Sequence, residues 1–92
     1  MPSTSISINA KENVFSPTLE VVLESPNNYN YGLMIALALS IIDNAPKYEG
    51  AICEIEPNWN QKKEKQTEIV VFFKLIFKSK KNVKKFIEFL RS

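Results

Sequence analysis

From Thr67 to Lys78 the chain alternates without a break. Ile69, Val71, Phe73, Leu75 and Phe77 form one row. Glu68, Val70, Phe72, Lys74, Ile76 and Lys78 form the other. A period of two is the mark of a β-strand, because successive side chains leave a pleated backbone on opposite sides. A row made only of apolar side chains must be covered, so the rest of the chain has to supply a layer that packs on it.

Three other segments read as strands. Residues 18–24 alternate, with Leu19, Val21 and Leu23 against Glu20, Val22 and Glu24. Residues 3–8 alternate more weakly, Ser3, Ser5 and Ser7 against Thr4, Ile6 and Ile8, as an edge strand does. Asn9 to Pro17 is then a connection, with Val14 and Phe15 placed to plug the core. After Gly50, residues Ala51, Cys53 and Ile55 face one way and Ile52, Glu54 and Glu56 the other. On that reading Cys53 is an inert core thiol. Residues 57–66 are a polar loop that joins this strand to the one at 67–78 as a hairpin.

Two helices complete the pattern. Ser25-Pro26-Asn27-Asn28 is a start signal, and Asn44-Ala45-Pro46 a stop, so a helix is expected over 28–44. Its apolar residues sweep most of the circumference, which predicts packing on more than one side. Gly32, Ala36 and Ser40 form a small-residue stripe suited to close intramolecular packing. Ser79 can cap a second helix over 80–91. There Val83, Phe86, Ile87 and Leu90 fall at i, i+3, i+4 and i+7 as its buried stripe.

The order strand, strand, helix, strand, strand, helix predicts an α+β fold. It is a two-layer sandwich, a four-stranded, mostly antiparallel sheet with two helices on one face. Residues 18–91 supply a βαββα unit, and the strand at 3–8 can fill the slot of the missing final strand. That is a circularly permuted ferredoxin-like arrangement. At 92 residues the whole chain, 1–92, is expected to be a single domain.

Composition excludes several chemistries. There is no His, one Cys and only two Gly. Catalytic triads, the common zinc sites, internal disulfides and glycine-rich phosphate loops all drop out. No cofactor, metal site or catalytic residue is expected, and an enzyme is not. The N-terminus lacks a basic segment followed by an apolar run. The longest apolar stretch, Leu33 to Ile42, is about half a membrane span. The expectation is a cytoplasmic protein without a membrane partner, and a lone Cys53 suits a reducing compartment.

Charge is polarised along the chain. Residues 1–60 carry 2 Lys against 7 acids, net −5, and residues 61–92 carry 10 basic against 3 acidic residues, net +7, for +2 overall. One reading is self-complementation, with Glu20, Glu24, Glu54 and Glu56 beside Lys74 and Lys78 on the open sheet face. The other is a basic end that attracts an acidic partner.

Two binding surfaces follow. If both helices cover one side of the sheet, the row containing Val70, Phe72, Lys74 and Ile76 is open: the expectation is a protein interface, used by a second copy in a homodimer or by another protein. The alternative is nucleic acid, held by Trp59, Lys62, Lys63 and Lys65 in the long loop and by Lys81, Lys84 and Lys85 on the last helix. There a base can stack on the ring and ammonium groups can hold phosphates. The leading functional expectation is a small interaction module: an adaptor, a regulatory subunit or an inhibitor.

Overall fold

The computed structural model describes residues 6–26, 31–55, 61–62 and 69–92. Among the described residues, five strands and two helices form in the order β1 (Ser7–Glu12), β2 (Thr18–Ser25), α1 (Tyr31–Asn44), β3 (Gly50–Ile55), β4 (Gln61–Lys62), β5 (Ile69–Phe77) and α2 (Lys80–Arg91). A 3₁₀ turn, Ala45–Tyr48, follows α1. The sheet runs β1-β2-β5-β3, with every neighbouring pair antiparallel, and β4 continues the β3 side of β5. This is an α+β arrangement of a four-stranded antiparallel open sheet and two helices, consistent with a two-layer sandwich.

The inner strands carry the core. β2 and β5 pair from Thr18↔Ile76 to Ser25↔Ile69, which sets Leu19 opposite Leu75, Val21 opposite Phe73 and Leu23 opposite Val71. These six side chains are fully buried. They share one cluster with Met34, Ala38 and Ile41 of α1 and Val83 and Phe86 of α2, so both helices lie on the same side of the sheet. Burying a side chain of this size stabilises the fold by about 1.5–3 kcal/mol, an upper figure for a chain already partly collapsed when unfolded.

At one end the cluster is aromatic. Phe86 packs 5.2 Å from Phe77 and edge-on to Tyr48 at 5.4 Å, with Phe89 alongside. Gly50 sits opposite Phe77 in the ladder, where an added Cβ would lie 2.4 Å from the ring. Only a glycine lets the ring close over the strand there. Just before it, Glu49 adopts a left-handed φ of 60° to end the 3₁₀ turn. Ser79 caps α2, accepting from the Asn82 amide.

Several expectations are corrected. The first strand is Ser7–Glu12 rather than 3–8, and residues 1–5 lie outside the described residues. Its register is set by a short turn, in which the Asn13 carboxamide oxygen accepts from the Phe15 and Ser16 amides at 2.7 and 3.1 Å. That turn carries Val14 and Phe15 outward, 73% and 94% exposed, so they do not plug the core.

α1 is buried on one side only. Met34, Ala38 and Ile41 form that stripe, while Leu33 and Leu39 are about half exposed. The small residues Gly32, Ala36 and Ser40 are exposed too, and a Cβ on Gly32 would meet nothing within 4 Å. Part of the expected polar loop is strand: Gln61 and Lys62 pair with Val70 and Ile69.

Two glycines therefore respond oppositely to the same substitution. Gly50→Ala forces a methyl into the Phe77 ring and is expected to cost about 1–3 kcal/mol in urea unfolding. Gly32→Ala fills open space on an exposed helix turn and is expected to gain about 0.5–1 kcal/mol. Equal effects from the two would contradict this packing.

Candidate protein interface on the open sheet face

The face of the sheet away from the helices is built from the alternate residues. On β5 these are Val70, Phe72, Lys74 and Ile76, and on β2 they are Thr18, Glu20, Val22 and Glu24. No described helix packs there. Val70, Phe72 and Lys74 are part-buried by their neighbours, and Ile76 is 45% exposed. Phe72 stands opposite Val22, close enough for direct side-chain contact. All four residues expected at an interface thus lie along one strand on one face.

Register adds Lys11 to the charged residues that alternation places on this face. Lys11 pairs with Glu20, Glu20 with Lys74, and Lys74 with Glu54. A single row crosses all four strands with signs plus, minus, plus, minus. The Lys74 ammonium lies 3.8 Å from the Glu54 carboxylate, with 28% and 53% of the two side chains exposed. Lys78 pairs instead with Glu49 at 3.7 Å. Glu24 stands opposite Val70 and Ser7, apart from this row. Glu56 lies outside the described residues. Exposed pairs of this kind contribute tenths of a kcal/mol each, so their value is in orientation rather than stability.

The Glu54 placement depends on an irregularity. Ile52 pairs with Leu75 and Glu54 with the next residue back, Lys74, so Cys53 is the extra residue of a β-bulge. Strict alternation predicted Ala51, Cys53 and Ile55 together on the inward side. Instead Ala51 pairs with Ile76 in an open-face row, and Ile52 pairs with Leu75 on the helix side but stays 37% exposed at the sheet edge. Cys53 is an exposed free thiol rather than a core residue.

The alternative basic surface is partly described. Lys81, Lys84 and Lys85 are exposed on α2, on the far side of the molecule from the open sheet face. No ion pair among the described residues engages them. Lys62 belongs to β4, whereas Trp59, Lys63 and Lys65 lie outside the described residues. A shallow groove of about 220 Å³ separates β1 from the end of α2, lined by Ile8, Asn9, Ala10, Ile87, Leu90 and Arg91. Among the described residues no cluster of three His, Cys, Asp or Glu forms, and no helix is long and apolar enough to cross a membrane.

Comparison with known proteins adds no family: no family model, no curated protein and no solved structure matches this chain.

The bulge has a direct chemical consequence. A thiol reagent such as a chromogenic disulfide is expected to label Cys53 in the folded protein at a rate within a few-fold of that in urea. Labelling that waits for unfolding would return Cys53 to the core.

Proposed function

We propose that this chain is a non-catalytic protein–protein interaction module that self-associates through the open face of its sheet. The observation that carries the reading is the set of Val22, Phe72, Val70 and Ile76 on a face that no described helix covers. A part-buried aromatic at the centre of a half-polar sheet is the composition of an interface core with a polar surround. An adaptor, a regulatory subunit or an inhibitor fits such a surface. A reducing cytoplasmic setting suits the exposed, unpaired Cys53.

The finer topology belongs to the same proposal. β2 and β3 flank β5 on opposite sides, α1 connects them, and β1 lies outside β2. That order supports a permuted ferredoxin-like arrangement.

The exposed lysines of α2 favour a second reading, nucleic-acid binding by Lys81, Lys84 and Lys85. Its signature is affinity that falls steeply between about 50 and 200 mM salt. A binding isotherm indifferent to salt would remove it.

The first reading is tested with Phe72→Glu. Sedimentation is expected to show a dimer for the unaltered chain and a monomer for the variant, with the circular dichroism spectrum and unfolding transition retained. Loss of the fold would make Phe72 a core residue. A dimer that persists in the variant would place self-association elsewhere.

A further inference from the structure

We propose that the occupant of the open face is a second copy of this chain, related by a two-fold axis parallel to the strands that passes between β2 and β5. This rests on the sheet-face reading above and adds the partner and its orientation.

The argument comes from the charge row. Lys11, Glu20, Lys74 and Glu54 lie in one line across β1, β2, β5 and β3, and their signs alternate. Their charges sum to zero, so the row offers no net attraction to a polyanion or a polycation. A copy of itself is a different matter. Two sheets facing each other symmetrically are related by an axis lying between them. An axis along the row sets each charge over its own like, Glu20 on Glu20 and Lys74 on Lys74. An axis parallel to the strands, through the middle of the row, reverses it. Glu20 then faces Lys74 of the second copy, and Lys11 faces Glu54.

The same axis disposes of the apolar neighbours. In the adjoining row Val22 of one copy covers Phe72 of the other, twice by symmetry. On the other side of the charge row, Thr18 covers Ile76. Equivalent strands of the two copies run in the same direction, so β2 of one faces an antiparallel β5 of the other, and sheet twist sets the two sheets about 30° apart. That angle spreads the outer contacts more than the inner ones. The Glu20–Lys74 contact, next to the axis, is therefore the one to test. Charge pairs at such an interface fix register and reject wrong orientations more than they add affinity.

The experiment inverts the row. K11E/E20K/E54K/K74E exchanges every sign and keeps every opposite-charge neighbour within the sheet. This variant is expected to form a dimer with a dissociation constant within a few-fold of the unaltered chain. Mixed with an isotopically labelled unaltered chain and examined by native mass spectrometry, it is expected to give the two homodimers and almost no mixed dimer. An axis along the row predicts the reverse, a predominance of mixed dimer, and statistical mixing would show that the charges do not orient the pair. Either result overturns the proposed axis while leaving the sheet-face reading in place.

Two single variants give an independent measurement that does not depend on the quadruple variant folding. K74E and E20K each place like charges together across the axis and are expected to weaken self-association at least roughly tenfold. Mixed in equal amounts, they are expected to recover the dimer. Unweakened single variants would overturn the inference. A monomeric unaltered chain would overturn both it and the reading on which it rests.

Discussion

The β2–β5 ladder is the constraint on which the molecule depends. Eight consecutive antiparallel pairs join these strands, and three of them, Leu19–Leu75, Val21–Phe73 and Leu23–Val71, are fully buried. Because strand side chains alternate, fixing these pairs fixes the other face as well. A one-residue slip of β5 against β2 would turn Phe73 to the open face and drive Lys74 under the helices. Burial on one side therefore specifies the row of charges on the other.

The helices hold this register in different ways. α2 has a sharp amphipathic division, with Val83 and Phe86 buried and Lys81, Lys84 and Lys85 outside. α1 is apolar nearly all round, yet it buries one stripe and leaves Leu33 and Leu39 half exposed. The aromatic cluster of Tyr48, Phe77, Phe86 and Phe89 ties the 3₁₀ turn after α1 to α2 and the end of β5. Gly50 makes room for that cluster by presenting bare backbone to the Phe77 ring.

The parts of the fold legible in the sequence are those where periodicity and burial agree. β5, β2 and α2 have unbroken patterns and Ser79 as a clear cap, and their residues fall where the patterns place them. The edges were less legible, because backbone pairing rather than side-chain burial defines them. β1 is almost wholly exposed, so only Ser7 and Ile8 fall within the strand expected at 3–8; nothing in residues 9–12 announces a strand, and Lys11 reads as part of a connection. In β3 the extra residue at Cys53 breaks the period of two, and no side-chain pattern records a bulge. The open-face residues of β5 could be read directly. Glu54 is already expected beside Lys74 from alternation, whereas Lys11 could be placed in that row only once register was known.

Confinement of both helices to one side of the sheet has a consequence for how charge would be distributed in a larger assembly. Two sheets stacked face to face would make a four-layer body with α2 on each outer surface. The exposed lysines would then point in opposite directions, separated by the full thickness of the assembly. Such a body could bridge two separate polyanions, with the second contact favoured by the first, but it could not close both basic surfaces around one. The bivalency would arise from the helices' shared side, without any residue devoted to it.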